Sequence, residues 1–328
     1  MEPETPAPSG PDPALPFPPA AGLGYPPHPY WPPSRRRFQD RVWKHVVLFL
    51  LTLLTTTFVG ASYYLSFISD FGRRPVSIHG SLFLHGLWYS VPVLLILGAH
   101  EMGHYLLCRR YNVDASLPWF IPLPVMPTGT LGAVIRIREM FPTRTILFDI
   151  GVAGPIAGFV MLLPALFWGM SLSQVVPAPS IVEGLAFGEP LLFRLVSWLT
   201  FGPISSTQAL NAHPMVFAAW FGMLATALNL LPFGQMDGGH LTHATLQRHS
   251  TIISTATVVG AAVMCLFSRS WLATTIVMVV MLFVVGPRHP RVLNEDEPLA
   301  PGRIAIAIFA AVMLVLCFTP IPLELLGP

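Results

Sequence analysis

The chain is poor in charge. Of its 328 residues, 18 are Lys or Arg and 16 are Asp or Glu, a charged fraction of 10%, where a soluble globular domain carries about 25%. Hydrophobic residues make up 53% and the mean hydropathy is +0.62. Such a chain cannot cover a water-facing surface, which excludes an ordinary soluble enzyme and a long disordered protein. Cysteine is also scarce. Cys108, Cys265 and Cys317 lie far apart, form neither a CxxC pair nor a disulfide framework, and read as small buried hydrophobes. A net charge of +2, with no Lys/Arg cluster beside stacking aromatics, gives no footprint for nucleic acid. The first apolar run begins only after residue 44, so no cleavable signal peptide is expected. The remaining class is a polytopic protein of the lipid bilayer.

Proline is concentrated instead, with 13 of the 35 in the first 33 residues and no apolar periodicity among them. Residues 1–40 are therefore expected to form a Pro-rich disordered cytoplasmic tail, extended and partly polyproline II. Clusters such as Pro16-Phe17-Pro18-Pro19 suit an aromatic-lined groove, should the tail have a ligand, although a solvated tail without a partner is the simpler reading. Seven apolar runs follow, at 45–68, 81–108, 150–172, 214–231, 251–267, 271–286 and 304–322. Each is about the 17 to 25 residues that cross hydrocarbon as a helix. The fifth and sixth are short and joined by Ser268-Arg269-Ser270 as a tight hairpin, and 190–201 reads as an interfacial helix. With the N-terminus inside, fourteen Lys/Arg fall on the inner side and four on the outer, which fixes the N-terminus as cytoplasmic.

Residues 119–125 read as re-entrant or interfacial, and 133–138 alternate with period two, the mark of a strand in a hairpin at the inner face. The expected fold is an all-α polytopic membrane protein of six or seven transmembrane helices, with a small β-hairpin or ribbon near the cytoplasmic face. Residues 41–290 are its core, and 291–328 a loop and a C-terminal helix.

Chemistry enters in the second run, at His100-Glu101-Met102-Gly103-His104. Imidazoles at i and i+4 stand one above the other on a helix face, as two ligands of a tetrahedral Zn2+ require. A Glu after the first His can reach a metal-bound water as general base. Ionisable groups in an apolar span are costly and functional by default. A third ligand is expected from Asn229-Leu230-Leu231-Pro232-Phe233-Gly234-Gln235-Met236-Asp237-Gly238-Gly239-His240. Pro232 and Gly234 break that helix, and the glycine pair lets the backbone turn around Asp237.

The paired motifs, His100-Glu101-xx-His104 and Asn229-xx-Pro232-xxxx-Asp237-Gly238-Gly239, resemble the site-2 protease family of intramembrane zinc metalloproteases. Segments 129–134 and 149–158, the latter with its Gly154-Pro155 step, resemble that family too, over about residues 80–245. The resemblance implies one zinc per chain held by His100, His104 and Asp237, with Glu101 activating water. It implies Asn229 as a holder of the substrate carbonyl or oxyanion. It also implies transmembrane protein substrates already cut by another protease, in a bacterial-type plasma membrane with the site toward the cytoplasm. The 171–213 segment is too short for the PDZ module of many bacterial members, and nothing C-terminal resembles the regulatory CBS pair of others.

An unwound substrate is expected to pair with the 130–138 strand, with Thr130, Ala133 and Ile135 as contacts. His240 and His243 read as helix-end or water-facing residues, His213 as lying on the far side, and Asp149 as an N-cap. Gly154 and Gly158 mark close helix packing. His85 lies about 22 Å from His100 along a continuous helix, too far for a ligand. Two other classes compete: a di-iron oxidase or desaturase using His100, His104, His240 and His243 as histidine boxes, and a transporter or binding-only scaffold.

Overall fold

The computed structural model describes residues 38–178, 184–267, 269, 271, 272, 275, 276, 279, 292–294 and 297–326. The Pro-rich segment, the expected hairpin around Ser268-Arg269-Ser270 and most of the sixth apolar run lie outside the described residues.

The apolar runs become helices: α1 (Val42–Ile68), α2 (Ser81–His85), α3 (Leu87–Arg110), α4 (Arg144–Ser171), α5 (Leu191–Phe201), α6 (Pro214–Leu230), α7 (Asp237–Leu246), α8 (Ser250–Met264) and α9 (Pro301–Cys317). Three are long and apolar enough to cross a membrane: α1, α2 with α3 as one 30-residue unit, and α4. α5, α6 and α9 are shorter apolar helices.

Local chemistry sets the boundaries. Pro214 and Pro301 open α6 and α9, where a missing N–H costs nothing. The second run divides at Gly86, whose backbone lies against the Thr57 carbonyl of α1, while Pro92 stays inside α3. α4 begins two turns before the expected residue 150. Its N-cap is Thr143, whose hydroxyl accepts from the Ile146 N–H at 3.3 Å. Asp149 is therefore not a cap but sits in the second turn. It accepts Arg303 Nε and Nη2 at 2.8 and 2.7 Å and the Tyr111 hydroxyl at 2.6 Å.

Between helices in lipid there is no hydrophobic drive, so close packing and hydrogen bonds hold them together. α3, α4 and α6 accordingly meet through small residues. Gly103 backs onto the Ala153 backbone, Gly169 onto Met215 and Val216, and Gly222 onto Ile96. Leu147, Phe148, Leu162, Leu166 and Met223 fill the interior with almost no exposed surface.

The ribbon pairs β1 (Trp119–Pro122) with β2 (Thr130–Val134) antiparallel, Trp119 opposite Val134 and Phe120 opposite Ala133. Two expectations are corrected here. The strand starts at Thr130 and ends at Val134, before Ile135, and residues 119–122 are its partner. Nor is the ribbon confined to one end of the helices. Its base meets α1 at His45, whose Nδ1 donates to the Pro118 carbonyl at 3.0 Å. Its tip meets α1 at Tyr63, whose hydroxyl donates to Pro127 O at 2.7 Å. The 18 residues from His45 to Tyr63 are about 27 Å of helix. Irregular backbone at such depth needs internal partners. Thr55 supplies one to Gly129 O and Tyr89 another to Thr128 O, both at 2.7 Å.

Two further ribbons stand apart from this one: β3 (Gln174–Pro177) with β5 (Gln208–Asn211), and β4 (Gly184–Phe187) with β6 (Leu323–Leu326). Each joins four-residue strands far apart in sequence, so no hairpin signal announces them and the all-α expectation omits them.

Candidate metal centre

α3 places His100 and His104 one turn apart on its buried face, where they are 5% and 6% exposed. The ring of His104 is oriented from behind, because its Nδ1 lies 2.7 Å from the Ile150 carbonyl of α4. A carbonyl only accepts, so Nδ1 carries the hydrogen, and the Nε2 lone pair of the neutral ring points into the site. There it meets His100 Nε2 at 3.3 Å and Asp237 Oδ1 at 3.3 Å, while His100 Nε2 lies 3.1 Å from Asp237 Oδ2. Electron-rich atoms this close suit a shared cation, and these three could hold a metal ion. For zinc with bonds of about 2.05 Å, a tetrahedron has an edge of about 3.3 Å. The donor set and its spacing both fit. Among the described residues, these three form the one group of His, Cys, Asp or Glu able to hold a metal ion.

Asp237 arrives by a break in the chain. α6 stops before Pro232, Gly234 adopts a positive φ of 52°, and its N–H donates to Ser254 Oγ at 3.1 Å. α7 then starts at Asp237, and Gly238 and Gly239 press against the carbonyls of Leu230 and Gly234, leaving no room for a Cβ. Gly154 and Gly158 do the same for the rings. A Cβ on Gly154 would overlap the His104 imidazole, and one on Gly158 would lie 3.2 Å from His100 Cβ. The GxxxG spacing packs α4 on α3, as expected, and it makes the space the imidazoles occupy.

Glu101, 8% exposed, lies beside the backbone of Ile135, just beyond β2. Asn229 Nδ2 lies 3.2 Å from His100 Nε2. Thr130 is buried, and its hydroxyl donates to Ile121 O at 2.8 Å and accepts from Gly132 N at 3.0 Å, so it is occupied within the ribbon. Ala133 faces Phe120 across the ribbon. The coupling of Ile135 to Glu101 runs through backbone, which no side-chain motif reveals.

Other histidines lie elsewhere. His240 packs on the Phe141 ring with centroids 5.6 Å apart, and His243 Nδ1 is 3.3 Å from Ser250 Oγ. Neither joins the metal group, which removes the histidine-box arrangement. His85 stacks on Tyr64 at 4.4 Å. His213 caps α6 at the opposite end, between Phe67 and Trp88, where burial pushes its pKa down to about 4.

Fold and site together define a helical membrane protein with a buried two-histidine, one-carboxylate metal group, spread over two helices. The sequence profile of peptidase family M50, the site-2 protease family, matches residues 88–268, and the chain belongs to that family. It is 29% identical over 304 residues to "Probable zinc metalloprotease EGY1, chloroplastic" of Arabidopsis thaliana, covering 85% of this chain and 54% of that protein. The rice (Oryza sativa subsp. japonica) protein of the same name is 29% identical over 303 residues, 85% of this chain and 51% of the relative. "Probable zinc metalloprotease EGY2, chloroplastic" of Arabidopsis thaliana is 27% identical over 248 residues, 74% and 43% of the two chains. The chain thus spans about half the length of the curated relatives it matches. No solved structure gives a significant match.

Proposed function

We propose that this chain is an intramembrane zinc metalloprotease, hydrolysing a peptide bond within or near a transmembrane segment of a membrane-anchored substrate. The observation that carries the reading is the convergence of His100 Nε2, His104 Nε2 and an Asp237 carboxylate at 3.1–3.3 Å, one residue from Glu101. His100, His104 and Asp237 are the ligands in this reading. Held there, zinc would supply a Lewis acid for the scissile carbonyl and make water a better nucleophile at neutral pH.

The protein does the rest. Glu101 takes the proton of the attacking water and returns it to the leaving amine. With the His100 lone pair engaged, the Asn229 amide is free to donate to the carbonyl oxygen as negative charge develops. The site is buried, which strengthens both interactions. A helical substrate shields its peptide bonds, so the substrate must be extended, and the edge of β2 around Ala133 offers it a strand partner.

The reading extends to the setting: six or seven spans, a core over 41–290, and a plasma membrane of bacterial type with the N-terminus and site toward the cytoplasm. Substrates already shortened by another protease fit it, as does a ligand of the Pro-rich segment. Glu101→Gln in proteoliposomes with a model single-span substrate tests the chemistry. Zinc should be retained and turnover fall by about 10²–10⁴-fold. Full activity in that variant would sink the mechanism.

A further inference from the structure

Arg144 is the first residue of α4 and is only 8% exposed. Its Nε and Nη2 both donate to the Ala244 carbonyl oxygen, at 3.1 and 2.6 Å, and its Nη1 donates to the Glu297 carbonyl at 3.3 Å. Ala244 lies in the last turn of α7, where carbonyls lack helical partners and a cation complements the helix dipole. The first residue of that short helix is Asp237. Seven residues, about 10 Å of helix, separate the two.

α7 is thus gripped at both ends, by Gly238 and Gly239 against the preceding loop and by Arg144 at the other. Between them, Gly151 of α4 would place a Cβ 3.0 Å from His240 Cβ and 3.2 Å from Leu241 Cδ1. One face of α4 therefore touches α7 through Arg144 and Gly151, then the imidazoles of His104 and His100 through Gly154 and Gly158. The helix that receives both histidines also fixes the element carrying Asp237.

We propose that Arg144 is a positioning residue of the metal centre: its guanidinium holds α7 so that the Asp237 carboxylate meets the two imidazoles. The proposal rests on Asp237 being a zinc ligand. Without the guanidinium, the Ala244 carbonyl loses two donors in a buried place, and the last turn of α7 loses its hydrogen bonds to α4. The carboxylate then ranges more widely and binds zinc less tightly. A Lys reaches one carbonyl and not both, so it restores part of the grip.

The test measures zinc affinity of the full-length chain in lipid nanodiscs, stripped of metal and titrated against a chromophoric chelator. Arg144→Met, Arg144→Lys and Asp237→Ala are compared with the wild type, and thermal unfolding of each metal-free form is recorded beside it. Arg144→Met should weaken zinc binding roughly 10–100-fold, the range seen when groups behind metal ligands are removed. Arg144→Lys should fall between, and if Arg144→Met does not fold, the Lys variant decides alone. Wild-type affinity in the Arg144 variants, with binding lost in Asp237→Ala, overturns the proposal; so does a lowered unfolding temperature with unchanged affinity. Wild-type affinity in Asp237→Ala overturns the ligand assignment beneath it.

Discussion

At the scale of single residues, the centre depends as much on what is absent as on what binds. His104 points its Nε2 inward because Ile150 O takes its other nitrogen, and it fits because Gly154 has no side chain. A Cβ there would overlap the ring, while one on Gly158 would lie 3.2–3.3 Å from His100. Gly154→Ala should therefore weaken zinc binding by about tenfold or more, and Gly158→Ala by less, both read by chelator competition. Equal, wild-type affinities would show that the rings are not confined as described. The donors His100, His104 and Asp237 are legible in the sequence because i, i+4 spacing and a Pro-Gly break have direct geometric meaning. The approach of the Ile135 backbone to Glu101 and the Arg144 grip on Ala244 are not legible. Each joins backbone to a residue brought near only by tertiary packing.

At the scale of elements, long apolar runs give helices because the pattern is sustained, and 214–231 and 304–322 are found as α6 and α9 within a few residues. The ribbon is harder to read. Its alternation is visible over 133–138, yet its register follows from hydroxyls on α1 and α3, which bind the tip carbonyls at 127–129. β3 to β6 leave no local trace, since their partners are distant in sequence. If β2 pairs with substrate, single Pro substitutions at Ala133 and Val134 separate two roles, because adjacent N–H groups of a strand face opposite edges. The one on the free edge should keep zinc and lose roughly fivefold or more in kcat/KM, about the worth of one hydrogen bond. Unchanged cleavage by both variants excludes the pairing.

At the scale of the whole molecule, scarcity of charge becomes a map. Arg138 is bound to Asp40 and Asp114, Arg303 to Asp149, and Arg144 to Ala244 O, all at the end where α1 and α4 begin and α3 finishes. Arg73 pairs with Asp70, and Arg194 with Glu189, beyond the other ends of these helices. Single cysteines at Arg110 and Arg74, in a chain without its native cysteines, should react with an impermeant maleimide from opposite faces, Arg110 from the cytoplasmic one. Labelling from one face would contradict the topology. The central claim, a zinc held by two imidazoles and one carboxylate, is tested most directly by X-ray absorption at the zinc edge of the purified chain. The account predicts one zinc per chain with nitrogen and oxygen neighbours at about 2.0–2.1 Å. A shell containing sulfur at about 2.3 Å, or two irons in place of zinc, would contradict it.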